Sequence, residues 1–169
     1  MSVIHPVYLN EAPEHDPVID IINDEAFGPG RLVRAAERVR EQGPHDPRLS
    51  FIAMLDEAIV GSVRLTPVTA GGVAGHLLGP LAVRPSFKNR GIGRELVRIS
   101  VAEALAGGSE AVVLVGDQSY YGPLGFTRVT GRLRFPGPVD PARILVATDR
   151  DDTDDRLHGK IAWRQDSAL

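Results

Sequence analysis

The sequence predicts a mixed α/β fold: a central, mostly antiparallel sheet with a bulged fourth strand, flanked by helices. Two apolar runs, Leu49 to Asp56 and Ala58 to Pro67, are separated by a short acidic turn, which is typical of an antiparallel hairpin. Another apolar run, Leu77 to Val83, leads through a glycine turn into an amphipathic helix. A buried run after that helix then predicts one parallel crossover.

The chain begins with one predicted strand and two predicted helices. Val3 to Asn10 has the apolar character of a strand, and Pro17 to Phe27 follows as a helix with proline in its first turn. Gly28-Pro29-Gly30 ends that helix. Arg31 to Gln42 predicts a second amphipathic helix, with apolar residues on one face and four arginines on the other.

The fourth predicted strand contains a Gly79-Pro80 pair, and a loop of small residues, Thr69 to Gly75, is expected to lead into it. Proline has no N–H for a ladder hydrogen bond, so the pair predicts a bulge or a point where pairing with a neighbouring strand stops. Backbone groups near Leu81, Ala82 and Val83 are therefore expected to be free for other partners.

The turn after this strand is rich in glycine and in positive charge. It reads Lys88-Asn89-Arg90-Gly91-Ile92-Gly93, and Gly107 ends the helix that follows. Glycine permits positive φ and close backbone approach, and a helix N-terminus offers N–H groups to an anion. The dipole disfavours a cation there, such as Lys88, Arg90 or Arg94, by roughly 0.3 to 1 kcal/mol. A phosphate-bearing ligand would turn these cations into contacts; the alternative is a solvated basic turn that begins an ordinary helix.

The second half of the chain contains short elements. After a buried strand, Asp117 is the expected N-cap of a short helix that carries Tyr120 and Tyr121. The strand candidates are Ala111 to Val115, Phe126 to Val129, Leu133 to Phe135 and Ile144 to Thr148.

Residues 1 to 169 are predicted to form a single domain, with residues 150 to 169 as a C-terminal tail. Asp149 to Asp155 is an acidic run with no apolar period, which is more typical of a solvated segment than of a metal site. Trp163 is expected to hold the tail against the domain.

Composition excludes several classes of function. A net charge of −3 argues against a general nucleic-acid surface. With no cysteine, the chain has no disulfide, no thiolate zinc site and no acyl-cysteine route, and the histidines lack metal-ligand spacing. No apolar stretch approaches about 18 residues, so a cytoplasmic protein without membrane contact is expected. The glycine turn is neither G-x-G-x-x-G nor a P-loop, which disfavours a dinucleotide or nucleotide binder.

Two segments resemble the GNAT superfamily of N-acetyltransferases. Lys88 to Gly93 is similar to the family's Q/R-x-x-G-x-G/A acyl-CoA motif, with lysine where glutamine or arginine is usual. Tyr121 to Phe126 is similar to its Y-x-x-x-G-F segment, at the usual distance downstream. The order of predicted elements also resembles the family's order up to Asp149.

The resemblance implies that acetyl-CoA is the cosubstrate and that the bulged strand and the glycine turn bind it. The implied contact residues are Leu81, Ala82, Val83, Lys88, Asn89, Arg90, Gly91, Ile92, Gly93, Arg94 and Tyr121. The acceptor amine, a small molecule or a peptide, is implied to lie between the loops around Phe27 to Arg31 and Gly131 to Pro141. The protein is expected to be a monomer or a homodimer.

Tyr121 matches the family tyrosine that protonates the departing thiolate, which suits a phenol with an ordinary pKa of about 10. Tyr120 is then expected to be a packing residue. His76, at the start of the fourth strand, is the candidate base, although a histidine at a strand edge is more often structural. The alternative function is a non-catalytic acyl-CoA sensor or interaction module of the same fold.

Overall fold

The structure is a computed structural model and describes residues 4–165. The helices are α1 (Asp16–Phe27), α2 (Ala35–Arg40), α3 (Ile92–Ala106), α4 (Gln118–Tyr121) and α5 (Thr153–Arg156). The strands are β1 (Val7–Asn10), β2 (Phe51–Leu55), β3 (Ala58–Ala70), β4 (Val73–Val83), β5 (Val112–Val115), β6 (Thr127–Arg128), β7 (Leu133–Arg134), β8 (Ile144–Ala147), β9 (Gly159–Lys160) and β10 (Ala162–Trp163). Val3, the first residue of the first predicted strand, lies outside the described residues.

Within residues 4–165 the main sheet has the strand order β1-β2-β3-β4-β5-β8-β6, and β10 pairs with β3. The β4–β5 pair is parallel and its other ladders are antiparallel. This confirms the predicted mixed, mostly antiparallel sheet. β7 and β9 form a separate parallel pair.

Apolar side chains cover both faces of the sheet. These side chains form two apolar clusters. Val112 and Leu114 of β5 pack in one cluster with α3 residues such as Leu96, whereas Val113 packs in the other with Val39 of α2. Alternate residues of the strand therefore point to opposite faces of the sheet. The near-continuous apolar runs of β4 and β5 follow from this burial on both sides. These two strands are therefore packed between α3 on one face of the sheet and α2 on the other.

The predicted bulge in the fourth strand is present. Val63 pairs with Leu81 and Leu65 pairs with Leu78, so Arg64 of β3 lies opposite both Gly79 and Pro80 of β4. The Gly79-Pro80 peptide bond is cis.

The β3–β4 hairpin is longer than predicted. Thr69 pairs with Ala74 and Ala70 pairs with Val73, so the turn is only Gly71-Gly72, both with positive φ. The other residues of the predicted Thr69 to Gly75 loop are strand residues instead, because Ala70 and Val73 are buried in the cluster that contains Val39 and Val113. Tertiary packing has overridden weak local strand preference.

The second predicted helix, Arg31 to Gln42, is interrupted. Residues Pro29–Val33 form a 3-10 turn, and Arg34 has extended backbone angles before α2 begins at Ala35. The apolar periodicity did not reveal this break in the helix.

The acidic segment is more ordered than predicted. Thr153 is fully buried, and the Asp154 carboxylate accepts hydrogen bonds from the N–H and the hydroxyl of Thr130. Arg156 pairs with Glu110 at 3.0 Å and offsets part of the acidic charge. Beyond it, the indole N–H of Trp163 donates to the Pro44 carbonyl at 2.9 Å. The last four residues of the predicted tail lie outside the described residues.

Candidate active site

A gap opens in the sheet where β4 and β5 separate. Their ladder in the described residues consists of the pairs His76–Val112 and Leu77–Val113. Both strands continue past these pairs, β4 to Val83 beside β3 and β5 to Val115 beside β8. The edge of β4 that faces β5 is thus available, from the bulge onward, to another chain-like partner.

The glycine turn lies at the end of this gap and begins α3. Gly91 is the N-cap residue, with a left-handed φ of 80°, and Asn89 also has a positive φ of 63°. A Cβ added to Gly91 would meet nothing within 4 Å. The turn therefore leaves open space next to the start of the helix. An anion that binds the first N–H groups of a helix needs such space.

A cleft of about 480 Å³ covers the turn and the end of β4. Its lining residues are Leu81, Val83, Phe87, Lys88, Asn89, Gly91, Ile92, Gly93, Arg94 and Tyr120. Of the other predicted contact residues, Ala82 is buried on the opposite face of the strand, and the Arg90 guanidinium lies over the Phe87 ring at 5.2 Å from its centroid. Tyr121 lines an adjoining cleft.

The charge of this cleft is positive at a helix N-terminus. The first-turn carboxylate that could offset it, Glu95, is hydrogen-bonded to Arg98, which holds the pKa of Glu95 below its usual range. Lys88 and Arg94 therefore share the cleft with the positive end of the helix dipole. This arrangement favours a ligand with at least one phosphate.

The second cleft, of about 880 Å³, adjoins the first, and Leu81, Lys88 and Tyr120 line both. Its walls are the β4 bulge, the end of β5, Tyr121, and residues of the α1–α2 segment, including Phe27 and Arg31. Residues 138–140 also line it. The two segments expected to hold the acceptor thus meet around one cleft.

Tyr121 is held by its neighbours at the junction of these walls. Its ring contacts Tyr120 and Phe126 edge-on, with centroids 4.8 Å and 5.7 Å away. A Cβ on Gly116 would lie 2.6 Å from the Tyr121 ring, so the ring occupies space that only glycine leaves open. Burial, followed by the charges of Tyr120 and Asp117, raises the pKa of Tyr121 to about 12. The phenol therefore carries its proton throughout the neutral range.

Two neighbours of Tyr121 lie at the same place. Tyr120 packs edge-on against Tyr121, lines both clefts, and has its hydroxyl oxygen 2.7 Å from the position of a Cβ on Gly93. Asp117 occupies the N-cap position of α4, but its carboxylate pairs with Arg143 at 2.8 Å instead of capping the helix. Its backbone carbonyl accepts the N–H groups of Tyr120 and Tyr121.

The structure does not support His76 as the base. Its imidazole is buried, with Nδ1 2.9 Å from the Ser109 hydroxyl oxygen and Nε2 3.8 Å from Asp46. The residue lies in the paired part of β4, before the strands separate, whereas the larger cleft begins at Leu78. His76 therefore connects the sheet to the end of α3.

Sequence reasoning missed the polar residues that α2 contributes to the cleft. Arg40 and Glu37 both line it and pair with each other at 3.1 Å. A side chain at Gly79 would clash with the Arg40 guanidinium, so the glycine at the bulge leaves the space that this guanidinium fills. The four arginines around α2 were the available signal, but nothing in the sequence showed which of them face the bulge.

Residues 4–165 contain no helix that could cross a membrane, and no group of three His, Asp or Glu side chains placed to hold a metal ion.

Comparisons with known proteins agree with this geometry. The sequence profile described as the Acetyltransferase (GNAT) family matches residues 16–126, more than half of the chain. The chain is 30% identical over 133 residues to "Uncharacterized N-acetyltransferase YhbS" of Escherichia coli K12, covering 75% of this chain and 78% of that protein. It is 28% identical over 121 residues to "Uncharacterized N-acetyltransferase YjhQ" of the same strain, covering 69% and 67%.

Among solved structures, the crystal structure of Escherichia coli YhbS in complex with CoA superposes with a TM-score of 0.80 at 25% identity, covering 97% of this chain and 92% of that one. A GNAT acetyltransferase from Brucella melitensis, in complex with acetyl-CoA, shares the fold with a TM-score of 0.69 at 23% identity, covering 95% and 96%. These findings confirm the family that the two motifs indicated: the chain belongs to the GNAT family of acetyltransferases.

Proposed function

We propose that the protein transfers an acetyl group from acetyl-CoA to an amine by direct attack within a ternary complex. The observation that carries the proposal is the pair of adjoining clefts, which extend from the cationic N-terminus of α3, along the unpaired edge of β4, to Tyr121. The solved structure of the YhbS relative in complex with CoA supports the choice of ligand. The predicted cytoplasmic location and oligomeric state stay predictions.

The glycine turn fits the phosphates of this cosubstrate. No atom lies within 4 Å of the Cβ position of Gly91, and Lys88 and Arg94 supply positive charge in the same cleft. The exposed edge of β4 after the bulge would pair with the amide groups of the pantetheine arm as an added strand does, using backbone groups near Leu81 to Val83.

Acetyl-CoA supplies the acetyl group as a thioester. In the transfer a carbon–nitrogen bond forms to the amine and the carbon–sulfur bond breaks. Tyr121 donates its phenolic proton to the departing sulfur, and the proton lost by the amine passes to solvent. Solvent then returns a proton to the Tyr121 phenolate, which restores the acid for the next turnover. Backbone N–H groups just after the β4 bulge, near Leu81 to Val83, would polarise the acetyl carbonyl. The two clefts hold both substrates together, which supplies much of the rate enhancement.

Acetyl-CoA is expected to raise the melting temperature. A ligand at 100 times its Kd adds about 2.7 kcal/mol to the stability of the folded state, which for a domain of this size corresponds to roughly 5 to 10 °C. The gain should shrink as salt screens Lys88 and Arg94. Differential scanning fluorimetry with acetyl-CoA at several salt concentrations measures this rise in melting temperature. An unchanged melting temperature at millimolar acetyl-CoA would refute the proposal.

Turnover separates an enzyme from the alternative of a CoA-binding sensor. A screen of acetyl-CoA with a broad panel of amines, followed by release of free thiol, detects transfer to any of them. A sensor would gain stability from acetyl-CoA and yet release no thiol with any amine.

Gly116→Ala is expected to lower kcat by about 10- to 100-fold, because the new methyl group displaces the Tyr121 ring and small misplacements of a catalytic group are costly. The KM for acetyl-CoA should change little. Gly122→Ala is the matched control, since its Cβ would meet its nearest neighbour, Gln118, at an ordinary 3.7 Å. Equal kcat values for the two variants would show that the position of Tyr121 does not limit the reaction.

A further inference from the structure

Three arginines from the segment around α2 line one wall of the larger cleft: Arg31, Arg34 and Arg40. The proposed acetyl-CoA site does not use them. Its cations, Lys88 and Arg94, lie at the N-terminus of α3, and the smaller cleft there is lined by neither Arg31 nor Arg34 in the described part of the chain. We call these three residues the arginine wall. Binding of acetyl-CoA does not explain why they line the cleft.

The three guanidinium groups are held in different ways. Arg40 is seated against Gly79 at the β4 bulge and pairs with Glu37. Arg31 pairs with Asp24 at 3.0 Å, although the Asp24 side chain is 63% exposed and that of Arg31 only 16%. Arg34 is exposed, and its guanidinium carbon lies 5.3 Å from the centroid of the Phe27 ring.

The wall has more positive than negative charge. Burial lowers the pKa of Arg40 despite the opposing effect of Glu37, and the charges of Arg34 and Arg31 lower it further. Glu37 is the one carboxylate that lines the cleft among the described residues of the α1–α2 segment. Like charges around a concave surface repel each other and attract an anion.

We propose that the acceptor amine also carries an anionic group, a carboxylate or a phosphate, which binds to Arg31 and Arg34. This inference rests on the proposed acetyl transfer. Guanidinium groups bind both anions through paired N–H donors. The anion would lie at the wall made by the α1–α2 segment, so that the amine of a small acceptor extends toward the Gly79-Pro80 bulge. The acceptor class is then small amino acids, their conjugates or phosphorylated amines.

Matched pairs of amines test this proposal. β-Alanine is compared with its neutral amide, 3-aminopropanamide, and phosphoethanolamine with ethanolamine, in a thiol-release assay at saturating acetyl-CoA. The wild-type protein should favour the anionic member of at least one pair. Arg34→Gln should lower kcat/KM for that member by roughly 10- to 100-fold, the usual effect of losing a charge-assisted hydrogen bond, and should change the neutral member little.

The loss of preference in Arg34→Gln is the deciding quantity, because the members of a pair also differ in amine basicity. Arg34 is exposed, so its replacement should not disturb folding. Arg128→Gln, on the exposed strand β6, is the control that removes a guanidinium outside both clefts and should leave every ratio unchanged. The pair that responds identifies the anion as carboxylate or phosphate.

Three results would contradict the inference. Equal effects of Arg34→Gln on charged and neutral amines would refute it while leaving acetyl transfer in place. A raised KM for acetyl-CoA in Arg34→Gln, with unchanged amine preference, would assign the arginines to the phosphates of CoA. Absence of thiol release with every amine, despite binding of acetyl-CoA, would refute the proposed function and this inference with it.

Discussion

Gly91→Val is expected to abolish measurable binding of acetyl-CoA while leaving the fold largely intact. Gly91 has a φ of 80°, a region in which a β-branched residue is strained. Its missing side chain would project into open space at the cleft, where the proposed phosphates approach the first N–H groups of α3. Valine would therefore both distort the turn and fill the space that the ligand needs. Calorimetric titration with acetyl-CoA measures the loss.

Gly108→Val separates these two effects. Gly108 follows the other end of α3, has a φ of 100°, and also has nothing within 4 Å of its Cβ position. The variant should be at least as strained, but it lies outside the cleft and should bind acetyl-CoA normally. If Gly91→Val folds and keeps the wild-type affinity for acetyl-CoA, the glycine is needed only for the backbone conformation of the turn. The pyrophosphate must then bind elsewhere.

The parts of the site that the sequence predicted are those determined by local chemistry. A strand interrupted by Gly79-Pro80, a turn with Gly91 at positive φ, and a helix that starts at once are consecutive in the chain. Each restricts the backbone within a few residues, so the bulge and the glycine turn at the start of α3 follow without knowledge of distant contacts. The pairing of β4 with β5 only up to Leu77 then leaves the predicted gap.

The parts that the sequence did not predict depend on distant partners. Ala70 and Val73 become strand residues because β3 and β4 pair there and bury them. His76 was the candidate base at the start of the strand, but its Nδ1 lies within hydrogen-bond distance of the Ser109 hydroxyl. Ser109 follows α3 in the chain, so the sequence did not show that the two residues are in contact. The polar wall at α2 is a similar case, since Arg40 reaches the site only because the β4 bulge brings Gly79 against it.

Tyr121→Phe is expected to lower kcat by roughly 10²- to 10⁴-fold, the usual contribution of a general acid, with the lower end favoured because a thiolate leaves readily. The ring and its contacts with Tyr120 and Phe126 stay. Because the loss belongs to the transition state, kcat and kcat/KM should fall together while affinity for acetyl-CoA changes little. Pre-steady-state measurements must show that chemistry limits the rate.

The pH dependence of stability gives an independent check on the same phenol. Its pKa of about 12 in the folded protein exceeds the ordinary value of about 10. The folded state therefore holds this proton more tightly, and the associated stability is fully present below pH 10 and is lost as the pH rises through 12. Tyr121→Phe should abolish that loss. It should leave the rate profile near neutral pH unchanged in shape, because the phenol is protonated there.

Tyr120→Phe is the matched control, with a different expected signature. Its hydroxyl lies beside Gly93 in the smaller cleft, so its removal should raise the KM for acetyl-CoA and leave kcat close to wild type. If Tyr120→Phe instead lowers kcat, and Tyr121→Phe keeps it with chemistry rate-limiting, the two tyrosines have exchanged roles. If both variants keep kcat, a water molecule or another residue protonates the sulfur. If kcat falls in Tyr121→Phe and not in Tyr120→Phe, the phenol of Tyr121 is the group that protonates the departing sulfur. Its ring is the one that occupies the space left open by Gly116.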